Sequence, residues 1–342
     1  MIRVAHLLPN MVTGGRERIV ADLCRHSVDV GISSSLVLYD PEAEGRQIDA
    51  GDVPRHTLDR RRPDFTEALR ALLARERIDV LHAQGHVAAA LAVPVAGRVP
   101  IVTSLHMALG TGWRWAPAIA RGLRASGAVT AVSADLARRF HWLSGREIDV
   151  VLPGIDVSAH HVEQRRANIG FTIGIAARLH PVKRHRDAIE ALRMLRSRGV
   201  TVRLEIAGQG GLDAELRARA AGLDVTFHGD VADMPGWLAG LDAFLLCSDH
   251  EGIPLALIEA CASGLPCIAT AVGGIPETFG AAVLTVPKRR PGAIAAAIER
   301  LSNAPTACKL LGQSSLELTP MFALDRMIAR YQAIYSDVLI KN

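Results

Sequence analysis

Aromatic residues and lysine are both scarce in this chain. Phenylalanine, tryptophan and tyrosine make up 4% of its 342 residues, and only four of its 39 basic residues are lysines. A nucleic-acid-binding surface usually combines a concentrated basic face with aromatic side chains that stack on bases, whereas the basic residues here are spread over both halves of the chain. Although the formal net charge is +4, the sequence therefore predicts no nucleic acid partner.

The chain also lacks the marks of a secreted, membrane-spanning or metal-binding protein. Its five cysteines are odd in number, lie in apolar contexts and show no paired spacing, which is typical of reduced core residues in a cytosolic protein. No apolar run reaches the roughly 18 residues of a transmembrane helix, and residues 1–9 resemble a first buried strand, too short for a secretion signal. These features predict a cytoplasmic location. No Asp-x-Asp pair follows a predicted strand, so we also expect no metal site.

What the sequence does contain is an alternation of apolar strand patterns with helix patterns. Its 49% hydrophobic and 22% charged residues are typical of a globular protein, and its length suffices for two domains with separate cores. This alternation predicts doubly wound α/β architecture. The predicted strands are residues 2–8, 34–39, 78–83, 100–105, 127–132, 171–176, 201–207, 224–228, 242–247, 266–270 and 282–286. The predicted helices include residues 65–75, 186–198, 214–221 and 292–301.

The pattern divides the chain into two α/β halves. We predict an N-terminal domain over residues 1–157 and a C-terminal domain over residues 169–320. The segment 158–168 is polar and has no strand pattern, so it is the predicted linker. Residues 321–342 carry apolar side chains at near-helical spacing and predict a terminal helix.

One glutamate stands in an almost wholly apolar helix pattern. Pro254 suits the first helical position and Gly264 the residue just past the end, so Glu259 should lie mid-helix and buried. A buried carboxylate needs compensating donors, which could be ligand hydroxyls or backbone amides. The alternative is a core glutamate held by an internal arginine or by the backbone. Glu251 precedes the same helix, so two carboxylates are expected at one strand-to-helix loop.

A pair of glycines follows the next predicted strand. Gly273 and Gly274 begin a Gly-Gly-x-Pro-Glu sequence that ends at Glu277. Ligands of open parallel sheets bind outside the carboxyl ends of the strands, where glycines let backbone amides approach a phosphate. A simple turn would explain the two glycines equally well.

These motifs together resemble a known family signature. Glu251-Gly-x-Pro, with Glu259 eight positions after Glu251 and Gly-Gly-x-Pro-Glu at 273–277, is similar to the signature of retaining glycosyltransferases of GT-B fold, and most similar to family 4. The resemblance implies two Rossmann-like doubly wound domains facing a central cleft, with the terminal helix crossing back to the first domain. It also implies a nucleoside diphosphate sugar as donor, with no metal and no other cofactor.

The resemblance also implies roles for individual residues. Arg178 and Lys183 would hold the diphosphate, Glu259 the ribose hydroxyls and Glu251 the hydroxyls of the donor sugar. His106 ends a predicted strand and resembles a family histidine that contacts the donor sugar. The remaining positions implied at the donor site are Gly14, Gly15, Gly208, Gly252, Ile253, Pro254, Leu255, Gly273 and Gly274. From the residues alone, an exposed basic loop, a structural histidine and ordinary glycine turns remain open alternatives.

The predicted activity is transfer of a glycosyl group to a hydroxyl acceptor, with retention at the anomeric carbon. The acceptor could be a saccharide, a lipid-linked saccharide or a small molecule. Two alternatives are a sugar-nucleotide epimerase of the same fold and an inactive partner subunit related to glycosyltransferases.

Two basic segments suggest weak contact with an anionic membrane surface. They are Arg60-Arg61-Arg62, and Trp113-Arg114-Trp115 together with Arg121 and Arg124. Such contact would place the protein at the inner face of the cytoplasmic membrane. The alternative, which we favour, is that both segments are solvated loop and helix faces.

Overall fold

The chain folds into two compact α/β units. The computed structural model describes residues 1–40, 42, 45–109, 115–160 and 170–341. Unit 1 contains Met1–Gly154 and Leu324–Asn342, and unit 2 contains Ile155–Ala323. Most of the predicted linker lies outside the described residues; the part that is described, Ser158–His160, forms a 3₁₀ turn that belongs to unit 2.

Unit 1 is built on a seven-stranded parallel sheet with helices between its strands. The strand order is β3-β2-β1-β4-β5-β6-β7, and the central strands are buried because helices cover parallel sheets on both faces. The strands are β1 Ile2–Leu8, β2 Ile32–Leu38, β3 Arg55–Thr57, β4 Val80–Gln84, β5 Ile101–Leu105, β6 Ala128–Ala131 and β7 Asp149–Val150. The helices are α1 Gly15–His26, α2 Phe65–Arg75, α3 His86–Ala92, α4 Ala116–Ala125 and α5 Ala134–Ser144.

Unit 2 has a six-stranded parallel sheet of order β10-β9-β8-β11-β12-β13. The strands are β8 Phe171–Ala176, β9 Val202–Ala207, β10 Val225–Gly229, β11 Ala243–Leu246, β12 Cys267–Thr270 and β13 Leu284–Val286. The helices are α6 His185–Ser197, α7 Asp213–Arg219, α8 Met234–Ala239, α9 Leu255–Ala262, α10 Ile275–Phe279, α11 Pro291–Ser302 and α12 Pro305–Leu318. The order reverses between β8 and β11, which is the arrangement expected of a doubly wound sheet. The predicted fold class is confirmed in both units.

The two strands that the sequence did not predict are short and lie at or near a sheet edge. β3 and β7 contain three and two residues, and their side chains are largely exposed. Strand patterns arise from burial, so a short exposed strand leaves almost no pattern to detect. The main strands of both sheets match their predicted positions to within about two residues.

Helix α9 ends as predicted but begins one residue later. Pro254 has extended backbone and is the N-cap, so the expectation that it takes the first helical position is wrong. Gly264 follows the C-cap with a φ of 65°, a conformation that glycine adopts without steric cost. The amides of Gly264 and Leu265 then donate to the carbonyls of Cys261 and Ala260 at 2.8 and 3.1 Å. This pair of bonds is a Schellman motif, which explains the abrupt end of the helix.

The terminal helix α13, Leu324–Ile340, carries two tyrosines that are bonded to the sheet of unit 1. The Tyr335 hydroxyl lies 2.6 Å from His82 Nδ1, and the Tyr331 hydroxyl lies 2.8 Å from Ser104 Oγ. His82 Nε2 is in turn 2.7 Å from Ser104 Oγ. All four residues are buried. Because buried polar groups are costly when unpaired, this network specifies where the helix docks on the sheet.

Two buried histidines of unit 1 should make the protein sensitive to acid. Burial lowers the pKa of His6 to about 4 and that of His82 well below its usual value. Below about pH 6.5 the unfolded chain binds protons that the folded chain does not, so the free energy of unfolding falls with pH by about 1.4 kcal/mol per unit for each histidine. For His6 this loss runs from about pH 6.5 down to about pH 4.

We expect chemical denaturation at pH 7, 6 and 5 to show this slope. The variant His6→Gln should reduce the loss of stability by about 0.7 kcal/mol between pH 7 and pH 6 and by about 1.2 kcal/mol between pH 6 and pH 5, whatever its effect on stability at pH 7. An identical slope in the variant would contradict the prediction.

The basic segments proposed to touch a membrane are partly neutralised. Arg61 pairs with Asp59 and Glu42, Arg62 pairs with Asp64, and the Arg60 guanidinium lies 5.9 Å from the centre of the Tyr39 ring. Trp115, Arg121 and Arg124 are exposed, whereas Trp113 and Arg114 lie outside the described residues. None of the helices in the described part of the chain has the length and apolarity needed to cross a bilayer. Contact with a lipid surface stays a prediction.

The cysteines lie mostly in the core. All five are free, four of them buried and Cys308 half-buried. Burial raises the pKa of the Cys24 and Cys247 thiols to about 12, so both stay protonated and unreactive at neutral pH. This agrees with their predicted role as core residues.

Candidate functional site

The candidate site of unit 2 lies at the carboxyl ends of its central strands. Four loops begin there: residues 177–184 after β8, 208–212 after β9, 247–254 after β11 and 271–274 after β12. The first and third flank the point where the strand order reverses. A crevice forms at such a point because the two connections leave on opposite faces of the sheet. Most of the residues predicted at the donor site belong to these loops.

Lys183 and Glu251 are joined directly. Lys183 Nζ donates to Glu251 Oε1 at 2.6 Å, and the Ser248 hydroxyl donates to the same oxygen at 2.5 Å. The Glu251 side chain is 9% exposed and that of Lys183 is 19% exposed. An ammonium has three donors, so Lys183 can keep this bond and still bind an anion. The two residues were assigned separate roles from the sequence, and the structure places them in one ion pair.

The two loops that contain these residues are also bonded through their backbones. The amide of Asp249 donates to the carbonyl of Val182 at 2.8 Å. The Thr270 hydroxyl donates to the carbonyl of Ser248 at 2.7 Å. These bonds hold the loops after β8 and β11 to each other and to the last residue of β12, so the spacing between Lys183 and Glu251 is built into the backbone.

Two ion-paired arginines near Asp249, neither of them predicted from the sequence, also connect this part of the site. Arg289 donates to both carboxylate oxygens of Asp249 at 2.8 and 2.9 Å. Arg184 donates to Asp187 at 2.8 and 2.9 Å and lies 4.0 Å from Asp249. The bonds from Arg289 keep the pKa of Asp249 below its usual value. No motif signals this ion pair, because Arg289 lies 40 residues after Asp249.

The paired glycines pack against the Glu251 loop. Gly273 has a φ of 56°, and a Cβ atom there would lie 1.9 Å from the Glu251 carbonyl oxygen. The amide of Gly274 donates to the Gly252 carbonyl at 3.2 Å. The glycines are therefore needed for close approach of two backbones. Contact of their amides with phosphate stays a prediction.

Glycines also allow the loop after β9 to approach the loop that contains Arg178. A Cβ atom at Gly208 would lie 2.0 Å from the Ala177 carbonyl oxygen, and one at Gly210 would lie 2.5 Å from that of Leu179. The amide of Leu179 donates to Gln209 at 2.9 Å. The Arg178 side chain is exposed and forms no hydrogen bond or ion pair with the residues that the structure describes, so its guanidinium is accessible to an anion.

Glu259 lies in the middle of α9 and is 1% exposed, as predicted from the apolar pattern. His160 Nε2 lies 3.7 Å from Glu259 Oε1, which is longer than a hydrogen bond. The other ring nitrogen, Nδ1, donates to the Asp156 carbonyl at 2.9 Å. His160 was missed because it stands in the polar stretch interpreted as a linker. That Glu259 binds ribose stays a prediction.

In unit 1 the glycine that precedes α1 lies close to a carboxylate of the chain itself. Gly14 is the N-cap of α1, and a Cβ atom there would lie 2.3 Å from Glu17 Oε2. Glu17 is buried and is paired with Arg16. A carboxylate in the first helical turn interacts favourably with the helix dipole. The predicted anion contact at Gly14 and Gly15 stays a prediction, and Gly14 is already close to one negative charge.

His106 follows β5 at the carboxyl edge of the first sheet, as predicted. Its Nε2 lies 2.8 Å from Gln84 Oε1. Burial, followed by the charge of Arg16, lowers its pKa to about 3, so the imidazole is neutral at physiological pH. A neutral imidazole can donate or accept a hydrogen bond but cannot stabilise a negative charge as a cation would.

No cluster of three or more possible metal ligands is found among the described residues. The cations at the candidate site of unit 2 are instead Lys183 and Arg178, with Arg184 and Arg289 bound to carboxylates nearby. Cations grouped in this way are suited to binding a phosphate.

Family comparisons match both units. A family model described as Glycosyltransferase Family 4 matches residues 13–159. A second model, described as Glycosyl transferases group 1, matches residues 170–304.

Among curated proteins, the chain is 29% identical over 307 residues to N-acetyl-alpha-D-glucosaminyl L-malate synthase of Bacillus anthracis, covering 81% of this chain and 80% of that protein. It is 32% identical over 164 residues to the GDP-mannose-dependent alpha-(1-6)-phosphatidylinositol dimannoside mannosyltransferase of Mycobacterium tuberculosis, covering 44% of this chain and 43% of that protein. The second alignment spans less than half of either protein.

Among solved structures, the chain resembles HepE of Anabaena in complex with UDP, with a TM-score of 0.83 and 18% identity. The match covers 98% of this chain and 100% of that one. At this identity the similarity establishes the GT-B fold. The predicted fold family is thereby confirmed.

Proposed function

Because this chain belongs to glycosyltransferase family 4, whose members transfer a sugar from a nucleotide sugar in glycoconjugate or polysaccharide biosynthesis, we propose that unit 2 is its donor-binding unit. In this proposal Arg178 and Lys183 bind the diphosphate, Glu259 binds the ribose and Glu251 orients the sugar. The observation that carries it is the Lys183–Glu251 pair, which stands where the strand order of the sheet reverses.

Bond cleavage transfers negative charge to the departing nucleoside diphosphate. A cation that is already in place stabilises this charge more in the transition state than in the ground state, and so accelerates the reaction. Lys183 meets the requirement because its bond to Glu251 fixes its ammonium. Arg178 lies five residues before Lys183 and is exposed, so its guanidinium can add a bidentate contact to the diphosphate. These cations would take the part that a divalent metal plays in other transferases, and the family is generally metal-independent.

Glu251 is assigned to positioning. Its Oε1 already accepts bonds from Lys183 and Ser248, which leaves Oε2 for a sugar hydroxyl. A carboxylate held in this way by two donors is a poor nucleophile. We therefore propose transfer with retention at the anomeric carbon, in which the protein orients donor and acceptor hydroxyl without a covalent intermediate on Glu251.

The nucleotide base remains to be found by experiment. The mycobacterial relative is named as GDP-mannose-dependent, and HepE was solved with UDP, so both bases are used by similar proteins. We propose thermal shift measurements with UDP, GDP, ADP and CMP, each with and without magnesium. A ligand at 100 times its dissociation constant stabilises the fold by about 2.7 kcal/mol. A shift from one diphosphate that does not need magnesium would support the proposal, and no shift from any would contradict it.

Glu259→Ala should weaken binding of the selected nucleoside diphosphate by about 10- to 100-fold, because hydrogen bonds to a charged group contribute roughly 1.5–3 kcal/mol. Binding of inorganic pyrophosphate should stay the same, since it has no ribose. Isothermal titration calorimetry measures both. The matched control is Glu215→Gln, which removes an exposed glutamate charge paired with Arg219 on α7.

The 2′,3′-dideoxy form of the same nucleotide completes the test. It should bind the native protein about as weakly as the normal nucleotide binds Glu259→Ala, and the variant should not distinguish the two nucleotides. Equal losses for pyrophosphate and nucleotide would show that Glu259 supports the fold instead of binding ribose.

A further inference from the structure

A buried chain of hydrogen bonds crosses unit 1 and ends at His106. Ser34 Oγ on β2 lies 3.4 Å from His6 Nε2 on β1. His6 Nδ1 accepts from Gln84 Nε2, at the end of β4, at 3.2 Å. Gln84 Oε1 then lies 2.8 Å from His106 Nε2. Ser34, His6 and Gln84 are buried, so these bonds are shielded from bulk solvent.

The amide of Gln84 determines which nitrogen of His106 carries the proton. An amide oxygen only accepts hydrogen bonds and an amide nitrogen only donates them. Since Oε1 faces His106, the proton of His106 is on Nε2. Since the amide nitrogen faces His6, Nδ1 of His6 is unprotonated, and its Nε2 donates toward Ser34. One orientation of a single amide thus sets the tautomers of two histidines.

The unprotonated Nδ1 of His106 is then an acceptor that needs a donor. This nitrogen is buried and has no hydrogen-bond partner among the residues that the structure describes. The imidazole does not become a cation at physiological pH, because burial and the charge of Arg16 lower its pKa to about 3. A buried acceptor without a partner is unfavourable, and a ligand hydroxyl is a suitable donor to satisfy it.

We propose that Gln84 is a positioning residue that holds His106 in the Nε2-protonated tautomer, so that Nδ1 accepts a hydrogen bond from a substrate hydroxyl. This inference rests on the proposed sugar transfer, and on the contact of His106 with the donor sugar that the family resemblance implies. The inference also predicts which substrate group faces Nδ1 of His106. A hydroxyl group is favoured, whereas a fluorine, a carbonyl oxygen or a phosphate oxygen is disfavoured because none of these donates a hydrogen bond.

Nitrogen-15 NMR of the histidine-labelled enzyme tests the tautomer without any substrate. We expect the His106 ring, identified by its loss in His106→Asn, to be neutral with its proton on Nε2 between pH 6 and pH 8. Gln84→Leu should give a mixture of tautomers or the reverse one. Gln84→Glu should keep Nε2 protonated, because a carboxylate accepts from it. A proton on Nδ1 in the native enzyme, or an unchanged tautomer in Gln84→Leu, would overturn the inference.

Kinetics then test the consequence, with the donor selected by the nucleotide screen. Gln84→Leu should lower kcat/KM by about tenfold, the factor expected for one neutral hydrogen bond, while affinity for the nucleoside diphosphate stays the same. The separate variant Gln84→Glu should keep most of the native kcat/KM. The matched control is Thr103→Val, which removes a buried hydroxyl bonded to Ser126, the C-cap residue of α4, and should leave both the tautomer and kcat/KM unchanged.

The two proposals can fail separately. If the native enzyme transfers sugar but Gln84→Leu changes the tautomer without lowering kcat/KM, His106 does not accept from a substrate hydroxyl and this inference is wrong, whereas the donor site in unit 2 stands. If no nucleotide binds, the proposed function fails, and the NMR experiment still decides whether Gln84 sets the tautomer.

Discussion

Replacing Lys183 with methionine should reduce turnover by about 100- to 1,000-fold, the loss typical when one preorganised charge-stabilising group is removed. Methionine keeps an unbranched side chain of similar length and removes only the ammonium. The dissociation constant for the nucleoside diphosphate product should change much less than kcat. This difference is expected because charge develops on the diphosphate as the glycosidic bond breaks, and Lys183 is already held in place by Glu251 at 2.6 Å.

Two controls make this result specific. Lys309→Met removes an exposed lysine of α12 and should leave kcat unchanged. Lys183→Met also leaves Glu251 without its cation, so the double variant Lys183→Met with Glu251→Gln shows whether an unpaired carboxylate is responsible. A double variant that restores turnover would show that the ion pair matters only for stability. A loss in nucleotide affinity as large as the loss in kcat would show that Lys183 stabilises the bound ground state as much as the transition state.

The second large effect is expected at Gly273. A Cβ atom at this position would lie 1.9 Å from the Glu251 carbonyl oxygen and 2.9 Å from its carbon. Neither atom belongs to a flexible side chain, so Gly273→Ala requires the backbone of Glu251 to move. We expect a loss of roughly 1–2 kcal/mol from the positive φ and about 1–3 kcal/mol from the collision. Turnover should fall further than the folded fraction does, because Glu251 is displaced.

Gly199 provides the matched control. It lies in the same unit with a φ of 77°, and nothing lies within 4 Å of the position of its Cβ atom. Gly199→Ala therefore has the backbone strain without the collision. Chemical denaturation and kcat of both variants separate the two causes. Equal effects in both variants would show that Gly273 is needed only for its backbone conformation.

Burial of Glu259 could be predicted from sequence because it depends on local spacing. Apolar side chains stand three and four positions before this glutamate and three positions after it, and Gly264 ends the helix with a left-handed residue. Helix periodicity and capping act over a few residues, so they are readable from a short stretch. The helix start was predicted one residue too early, at Pro254, for a local reason as well. A proline has the same φ at the N-cap and at the first helical position, and only ψ differs between the two.

The ion pair between Lys183 and Glu251 could not be predicted in this way. The two residues are 68 positions apart, and each motif suggested a separate ligand contact. Their distance depends on the reversal of strand order, which brings the loops after β8 and β11 side by side. Asp249 and Arg289 are also far apart in sequence; they follow β11 and β13, which are separated by β12 in the sheet. Long-range pairs carry no periodic signal, so only the packed sheet reveals them.

The α/β class, the positions of the main strands, the burial of Glu259 and the glycines of the site could all be predicted from the sequence, because burial and backbone conformation restrict which residue types occur locally. The tertiary structure decided which charges pair and which tautomer His106 adopts. Hydrogen bonds of this kind depend on distances and angles between side chains of different strands. In unit 1, Gln84 became informative only when β1, β4 and β5 brought His6 and His106 to either side of its amide.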